Sequence, residues 1–321
     1  MSFVAPTALP SQYCVRQAGR SSVVEHQLVL AQTHSPVTTP QVNALTFDVE
    51  DWNQLVEWKL NGRMPRCSPH VVEQTESILR MLAEHAVRAT FFVLGLVAEA
   101  HPGLVKQIAA AGHEVGSHGW RHELITRQTP QAFMQETLRS KALLEDLIGQ
   151  PVQGYRAAEF SVTAASLWAL EILAEAGFRY DSSIFPIDGR RYGIRDAPLS
   201  PHRVETAAGD LIEVPLTALG EGKVRWPIGG GGYFRILPYV ATRWAISRVN
   251  AGGRAAIFYF HPYELSIAPL IPQVDSAVSY ASGARYVLFH NINRRRYRRR
   301  FLRILSDFQF TTIADLISRG H

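Results

Sequence analysis

The sequence predicts an α/β fold built on a parallel barrel, and two observations predict it. Short apolar segments typical of buried strands alternate with longer segments whose apolar residues recur at helical spacing, in units of roughly 25 to 45 residues. Acidic residues and histidines stand directly after several of the strands. Because the carboxyl ends of parallel barrel strands share one mouth, we expect these residues to meet there although they are far apart in the chain.

The strands are predicted from short, strongly apolar segments bounded by polar residues or glycines. The last of them leads into ADLISRG. In chain order the segments are NALTFDV (43–49), RATFFVLG (88–95), HEVGSHG (113–119), VQGYRAAE (152–159), FRYDSSIF (178–185), DLIEVPLT (210–217), RAAIFYFHP (254–262) and FQFTTI (308–313).

The helices are predicted from helical apolar spacing and from residues that favour helix ends. Thr129 is suited to an N-cap and Pro130 to the first helical position, while Gly112 and Gly177 are suited to close helices. The predicted helices cover residues 70–86, 101–111, 129–148 and 161–177.

The composition is that of a soluble globular enzyme. The chain has 321 residues, of which 46% are hydrophobic and 19% charged, and its formal net charge is +5. No apolar run reaches the roughly 18 to 20 residues that span a bilayer, and the N-terminus lacks the pattern of a secretory signal. Cys14 and Cys67 cannot make a disulfide framework, so we interpret both as reduced thiols. These features predict a cytoplasmic protein.

The N-terminal segment differs from the remainder of the chain. Residues 1–40 mix Pro, Ser, Thr, Gln and Val with weak periodicity, which predicts a poorly ordered segment. One interpretation is that this segment is a gene-model artefact. We expect residues 41–321 to form one domain that ends in a basic helical extension.

Two histidines and three acids suggest a metal site. His118 and His122 follow the third predicted strand, and Asp48, Glu50 and Asp51 lie at the end of the first. Two imidazoles and a carboxylate can hold a divalent ion such as Zn²⁺ and leave room for water and substrate. Several carboxylates at one strand end also repel each other unless a cation lies near them. The sequence therefore predicts a divalent metal site, with zinc as the expected ion.

The three acids are expected to have different roles. Asp48 is nearest the strand, and we interpret it as the base that deprotonates a water molecule. The metal ligand is Glu50 or Asp51. Alternation along an extended chain places Asp48 and Glu50 on the same side, which favours Glu50. A sharp turn would present Asp51 instead, and otherwise Asp51 is suited to act as an N-cap for the following segment.

Three further polar residues complete the predicted site. His261 follows a strand in FYFHPYE and is a candidate general acid that protonates a leaving amine. Asp181 is the candidate carboxylate that orients this imidazole. Arg156, in GYRAAEFS, is placed to hold Asp48 by a charge-assisted hydrogen bond.

The motifs together resemble those of NodB-type polysaccharide deacetylases, the carbohydrate esterase family 4. The matching segments are TFDVEDW, TFFVLG, GHEVGSHGWRH, GYRAAEFS, LAEAGFRYDSSIFP, GGGGYFRILPY and FYFHPYE. They cover roughly residues 42–265, and the remaining stretch to 320 resembles the extension of a subgroup from exopolysaccharide loci with exosortase systems. In combination these motifs are highly specific.

The resemblance implies a deformed (β/α) barrel of about seven parallel strands. It implies zinc-dependent removal of N-acetyl groups from amino sugars of a polysaccharide, within exopolysaccharide biosynthesis. It also implies Asp48 as base, His118 and His122 as metal ligands, Arg156 as the orienting arginine and His261 as acid.

The chain departs from the family pattern at two places. The family has two adjacent aspartates where this chain has Asp48, Val49, Glu50 and Asp51, which leaves the carboxylate ligand open. The arginine motif carries an alanine where proline is usual, followed by the additional acid Glu159.

Aromatic residues near the motifs are candidates for stacking on sugar rings. WPIGGGGYFRILPY lacks the lysine and spacing of a phosphate-binding loop. We interpret it as a flexible loop beside the sugar site, with Tyr233 and Phe234 as stacking faces. Trp52 and Trp120, next to the acids and histidines, are candidates for the same role.

Residues 294–303 (RRRYRRRFLR) contain seven arginines. Tyr297, Phe301 and Leu305 recur at helical spacing, which predicts an amphipathic helix with a basic outer face. A solvated face is the first interpretation. Contact with a membrane surface or an anionic glycan is the alternative, and nucleic acid is not favoured.

Two rival functions remain open from sequence. One is hydrolysis of other non-peptide C–N bonds on the same scaffold, and the other is non-catalytic glycan binding. A measurement of metal content distinguishes a non-catalytic protein from either hydrolase. Acetate release from N-acetylglucosamine oligomers then distinguishes a deacetylase from a hydrolase of other C–N bonds.

Overall fold

The computed structural model describes residues 41–189, 192–222, 224–273 and 280–319. The predictions made for residues 1–40, including Cys14, lie outside these ranges. Cys67 is a free thiol. Within the described residues, no helix combines the length and the apolar character needed to cross a membrane.

Eleven strands are described, and most are short. They are β1 (Asn43–Val49), β2 (Thr90–Val93), β3 (Glu114–Ser117), β4 (Gly154–Tyr155), β5 (Tyr180–Asp181), β6 (His202–Thr206), β7 (Gly209–Glu213), β8 (Ala218–Glu221), β9 (Val224–Pro227), β10 (Ile257–Phe260) and β11 (Phe310–Thr311).

The helices lie mainly between the strands. They are α1 (Trp52–Asn61), α2 (His70–Glu84), α3 (Gly95–Ala100), α4 (Pro102–Ala110), α5 (Pro130–Ile148), α6 (Trp168–Glu175), α7 (Gly231–Ile236), α8 (Tyr239–Ala251), α9 (Pro262–Leu265), α10 (Tyr280–Asn291), α11 (Arg294–Asp307) and α12 (Ile313–Arg319).

One nine-stranded sheet organises the molecule. Its order is β10-β1-β2-β3-β4-β5-β7-β6, and β11 pairs with the start of β1. The strands pair in parallel except for β6 and β7, which are antiparallel. The two sides of the sheet approach each other where the Thr217 hydroxyl exchanges hydrogen bonds with the backbone of Ile257. This deformed, mostly parallel α/β barrel confirms the predicted fold class.

The strongest sequence patterns match the structure closely. Strand β1 coincides with the predicted segment 43–49, and α5 begins at Pro130 with the Thr129 hydroxyl accepting from the N–H of Ala132. The helix predicted over 161–177 is shorter, because only Trp168–Glu175 is α-helical. The preceding residues form turns in which the Ser166 hydroxyl bonds to nearby backbone groups, an arrangement that competes with a helix.

The glycine run is not the flexible loop that the sequence predicted. It leads from β9 into α7, and its backbone lies against β10. Gly230 has φ 129°, and a Cβ there would lie 1.9 Å from the backbone oxygen of Tyr259. Glycine is therefore required for close packing against the barrel rather than for mobility.

The basic segment forms the amphipathic helix that was predicted. Helix α11 buries Tyr297, Phe301, Ile304 and Leu305 against the barrel, and most of its arginines face outward. Arg294 is an exception, because it is buried and donates to the backbone oxygen of Tyr263 at 2.6 Å.

The aromatic core offers a test of stability. The ring of Phe47 is fully buried and lies 4.9 Å from the ring centre of Phe91 and 6.0 Å from that of Phe301, so it joins β1 to β2 and α11. We expect Phe47→Ala to lower the free energy of unfolding by about 3–5 kcal/mol, because it leaves a cavity in a packed core. Denaturant titration measures this, with Leu138→Ala on the exposed face of α5 as the control, expected to change stability by about 0.5 kcal/mol or less. Equal effects of the two variants would contradict the assignment of Phe47 to the core.

Candidate metal centre and active site

A cavity of about 230 Å³ opens at the C-terminal ends of β1, β3 and β10. Its wall includes Asp48, Glu50, His118, His122 and His261. Each of these residues lies at the end of one of the three strands or shortly after it. The parallel sheet therefore brings together the early acids and the later histidines, as the sequence predicted.

Glu50 lies between three imidazoles. Its Oε2 is 2.7 Å from Nε2 of His122 and 3.9 Å from Nε2 of His118, and its Oε1 is 3.2 Å from Nε2 of His261. Burial alone would raise the pKa of Glu50, but the three imidazoles hold it below its ordinary value. Glu50 is therefore an anion at neutral pH although it is 3% exposed.

The same oxygen gives the first indication of a metal ion. Glu50 Oε2 is buried and has no hydrogen-bond partner among the described residues, although His122 Nε2 is only 2.7 Å away. When the imidazole is neutral, the nitrogen and the oxygen both have lone pairs that a shared cation would bind, so this close approach fits a metal ion.

The set of donor atoms fits a divalent ion. One carboxylate oxygen of Glu50 and one nitrogen each of His118 and His122 lie within 4.8 Å of one another. Mixed imidazole and carboxylate ligands suit zinc and related divalent metals. The described residues thus supply a buried three-ligand site of the kind that leaves further positions for water or substrate.

The tautomer of His118 is fixed by the loop that carries Arg156. His118 Nδ1 donates to the backbone oxygen of Arg156 at 2.8 Å, so Nε2 is left with its lone pair directed toward Glu50. Burial lowers the pKa of His118 and outweighs the opposite effect of Asp48 and Glu50. The ring is therefore neutral, which is the form that binds metal.

Asp48 is held by a buried arginine. Arg156 Nη1 donates to Asp48 Oδ1 at 2.8 Å and to the Thr46 hydroxyl at 2.6 Å. Its Nε and Nη2 donate to the backbone oxygen and the hydroxyl of Ser182 at 3.0 and 2.9 Å. The guanidinium also packs 4.2 Å from the ring centre of Phe92. This network compensates the charge of Asp48 and fixes its orientation, in agreement with the role expected of Arg156.

His261 is oriented by an acid three residues further along the chain. Glu264 Oε2 accepts from the backbone N–H of His261 and lies 3.1 Å from its Nδ1, while Arg235 Nη2 donates to the other oxygen at 3.0 Å. Although burial alone would lower it, Glu50 and Glu264 raise the pKa of His261 to about 9. A protonated imidazole with a fixed ring orientation therefore faces the cavity.

The interpretation of Asp181 as the acid that orients His261 is wrong, because Glu264 occupies that place. Asp181 lies opposite Glu213 on the neighbouring strand and accepts from the hydroxyl of Ser183. Burial raises the pKa of both carboxyls, and the charge of Asp181 raises that of Glu213 further. Glu213 is therefore protonated at neutral pH, and the two acids lie in the strand pair rather than beside the imidazole.

Asp51 has the capping role that the sequence offered as its alternative. Its Oδ1 accepts from the N–H of Asn53 at 3.1 Å, and its Oδ2 accepts from the N–H of Ser68. Both oxygens are thus engaged at the start of α1. Of the two carboxylates left open by the sequence, Glu50 is the one that lies beside the histidines.

Two of the predicted stacking residues are core residues. Trp120 is 3% exposed, and the guanidinium of Arg139 covers its ring at 3.5 Å. Phe234 is 1% exposed and packs edge-on against Phe260 at 5.1 Å between ring centres. Neither ring has a free face, so the prediction that they stack on sugar is wrong.

The other two predicted stacking residues, Trp52 and Tyr233, lie at or near the cavity. Trp52 lines the cavity but is 2% exposed, so its ring has too little open surface for a sugar to stack on it. Tyr233 is half-buried, and its hydroxyl lies 3.4 Å from that of Tyr192, which lines the cavity. A substrate-contacting role for Tyr233 stays a prediction.

Sequence reasoning missed several cavity residues. Tyr263 stacks on His261 at 4.9 Å between ring centres, and Lys59 forms an ion pair with Glu159 at 2.9 Å on the cavity wall. The spacing His-x-x-Glu in FYFHPYE is the signal that could have identified Glu264, because it is typical of a side chain that turns back to a helix N-terminus.

Two family models match adjacent parts of the chain. Residues 36–180 match the model described as polysaccharide deacetylase. Residues 182–318 match a domain of unknown function, DUF3473. The residues of the cavity and their buried partners are divided between the two matched segments. The first contains Asp48, Glu50, His118, His122 and Arg156, and the second contains His261 and Glu264.

Curated relatives are similar to part of this chain. A peptidoglycan deacetylase from Helicobacter pylori is 34% identical over 120 residues, which is 37% of this chain and 39% of that protein. A chitooligosaccharide deacetylase from a Bradyrhizobium species is 28% identical over 138 residues, 42% of this chain and 58% of that protein. The alignments thus span less than two thirds of either relative.

The fold is similar to that of a solved structure over nearly its whole length. A crystal structure of a polysaccharide deacetylase homologue from Mycobacterium smegmatis superposes with a TM-score of 0.57, covering 90% of this chain and 94% of that chain at 21% identity. At this identity the likeness establishes the fold. It supports the deformed barrel described above.

Proposed function

We propose, because residues 36–180 match the polysaccharide deacetylase model, that this chain removes N-acetyl groups from amino sugars of a polysaccharide. The observation that supports it most strongly is the buried cluster in which one oxygen of Glu50 lies close to a ring nitrogen each of His118 and His122. Zinc is the proposed ion, because two imidazoles and a carboxylate are its usual ligands in hydrolases. Exopolysaccharide biosynthesis is the proposed setting, supported by the motifs that resemble that subgroup.

Glu50, His118 and His122 would hold the metal ion. When bound, it supplies Lewis acidity toward a carbonyl oxygen and a water molecule. The residues that hold it are prearranged, since Glu50 is ionised and His118 is neutral with its free nitrogen directed at the site.

Asp48 is placed to act as the base. It lines the cavity, and Arg156 holds one of its carboxylate oxygens, which leaves the other to accept a proton from water. The hydroxide so formed adds to the acetyl carbon. Because Arg156 is buried and bonded on several sides, Asp48 keeps its orientation when it gains the proton.

His261 is placed to act as the acid. Its Nε2 faces Glu50 and the cavity, while Glu264 holds the opposite side of the ring. The raised pKa keeps the imidazole protonated at neutral pH. It can therefore donate a proton to the sugar nitrogen as the C–N bond breaks, and the products are acetate and a free amine.

The proposal is tested by metal content and acetate release measured on the same preparations. We expect about one divalent ion per chain, and release of acetate from N-acetylglucosamine oligomers that a chelator abolishes and zinc restores. His122→Gln should lose both metal and activity. His101→Gln is the matched control, because His101 bonds to the backbone oxygen of Ser68 outside the cavity, and it should retain both.

Two results would contradict the proposal. Metal-bound protein that hydrolyses small cyclic or linear amides but releases no acetate from any N-acetylated glycan would favour the other class of C–N hydrolase. Glycan binding without metal and without turnover would favour a non-catalytic protein.

A further inference from the structure

Positive charge is concentrated in two segments of the chain. Residues 231–251 and 280–306 contain eleven arginines and no aspartate or glutamate. The resulting charge of +11 in these two segments exceeds the formal net charge of +5 of the whole chain. The charged residues are therefore unevenly distributed, and the excess of positive charge lies on α7, α8, α10 and α11.

Helix α11 packs beside α7 and α8. Arg300 Nη1 donates to the backbone oxygen of Leu237, between α7 and α8, at 2.8 Å. The guanidinium of Arg303 lies 4.6 Å from the ring centre of Tyr239, the first residue of α8. Helix α10 joins the same group, because Arg235 of α7 donates to the backbone oxygen of His290 at 2.9 Å. The four helices thus form one continuous part of the surface.

Large apolar side chains are exposed on these helices. Ile236, Val240 and Trp244 are spaced by four residues and are 71%, 76% and 61% exposed. On α10 and just after it, Leu288, Phe289 and Ile292 are similarly exposed. Isolated exposed apolar residues are ordinary, but six on adjoining helices are typical of an interaction surface.

Free arginines lie on the same helices. Arg295, Arg296 and Arg299 are exposed on α11, and none of them makes an ion pair with any residue in the described ranges. We call these three arginines and the six exposed apolar residues the docking face.

We propose that the docking face binds the surface of a membrane that contains anionic lipids. Arginines attract acidic headgroups, while Trp, Ile, Leu and Phe side chains gain free energy when they enter the boundary between headgroups and acyl chains. A nucleic acid or an anionic glycan would satisfy the arginines, but it would leave the exposed Ile, Val and Leu side chains in water. The combination of both side-chain types therefore favours a lipid surface over a soluble polyanion.

The docking face adjoins the cavity and shares no residue with the metal centre. His290, which lines the cavity, lies between Phe289 of the docking face and the start of α11. Membrane binding would therefore hold the cavity near the lipid surface. The docking proposal does not depend on the reaction proposed above, and its test uses no substrate.

The test is sedimentation of the full chain with vesicles of phosphatidylcholine, with and without phosphatidylglycerol. We expect binding to the anionic vesicles that weakens as salt is raised. A variant carrying Arg295→Gln, Arg296→Gln and Arg299→Gln should lose on the order of a hundredfold in partitioning. Its control replaces Arg80, Lys106 and Arg127, which are exposed on other elements, with Gln, and it should bind as the parent does.

The apolar part of the docking face is tested separately with a matched pair of tryptophans. Trp244→Ser should weaken vesicle binding by roughly tenfold, whereas Trp226→Ser, at a residue 67% exposed on β9, should not. Brominated lipids should quench the fluorescence of the parent, and Trp244→Phe should remove most of that quenching. Circular dichroism spectra of all variants establish that they are folded.

Several outcomes would overturn the proposal. These are no binding to anionic vesicles, binding that both tryptophan variants retain without quenching, and preferential binding to RNA or to an acidic polysaccharide. Self-association that Trp244→Ser abolishes, without vesicle binding, would assign the docking face to a second copy of the chain instead.

Discussion

Replacing Asp48 with Asn is expected to lower kcat for acetate release by about 10²–10⁴-fold while the metal content stays unchanged. The amide keeps an oxygen that accepts from Arg156 Nη1, so the buried network persists. It cannot accept a proton from water, so the hydroxide that attacks the acetyl carbon is not formed. Initial-rate measurements with metal analysis of the same sample give both quantities.

Asp51→Asn is the matched control for this prediction, because it makes the same chemical change three residues away. Asparagine keeps an oxygen that can cap α1 but cannot accept from both Asn53 and Ser68, so we expect a loss of stability of about 1 kcal/mol while turnover stays near that of the parent. Full turnover by Asp48→Asn would exclude Asp48 as the base. A comparable loss in both variants would point to a general disturbance of the loop.

Replacing Glu264 with Gln is expected to move the alkaline limb of the pH–rate profile to lower pH. Glu264 and Glu50 raise the pKa of His261 to about 9, so the protonated acid is present at neutral pH and is lost as pH rises through that pKa. Without the carboxylate charge of Glu264 the pKa falls, and the acid form is lost earlier. For each unit of that shift, activity on the alkaline side should fall about tenfold.

Asp181→Asn distinguishes the two acids considered for this role. Asp181 lies opposite Glu213 and does not contact His261 in the described structure, so its amide variant should keep the alkaline limb in place. A shift in Asp181→Asn with none in Glu264→Gln would reverse the assignment. Profiles of kcat/KM from pH 5 to about 10 are sufficient to decide.

Residues on regular strands could be predicted well from sequence. Strand β1 is buried on both faces, so its apolar run is unambiguous, and the parallel arrangement then determines where Asp48, Glu50 and His118 lie. The choice between Glu50 and Asp51 could not be made this way. It depends on the start of α1, whose apolar pattern is weak and was not recognised as a helix.

Contacts between side chains were less accessible to sequence reasoning. Trp120 stands beside the metal-site histidines in sequence, yet its ring packs under Arg139, because neighbours in a loop can point in opposite directions. Glu264 was overlooked for the converse reason, since a short helix turn brings it back to His261. The helical pattern of α11 was visible, but its apolar neighbours on α8 and α10 became apparent only when the helices were packed together.

The division of the cavity between the two matched segments has a consequence for chains that are cut or exchanged near residue 181. A fragment ending there would keep the proposed metal ligands but would lack the proton donor and Ser182, which anchors Arg156. Supplying the missing half as a second polypeptide should restore turnover, because the halves meet through strand pairing of β1 with β10 and β11 and of β5 with β7. Exchanging the second half for that of a homologue would replace the residue that protonates the leaving amine. The proposed metal ligands, which all lie in the first half, would stay unchanged.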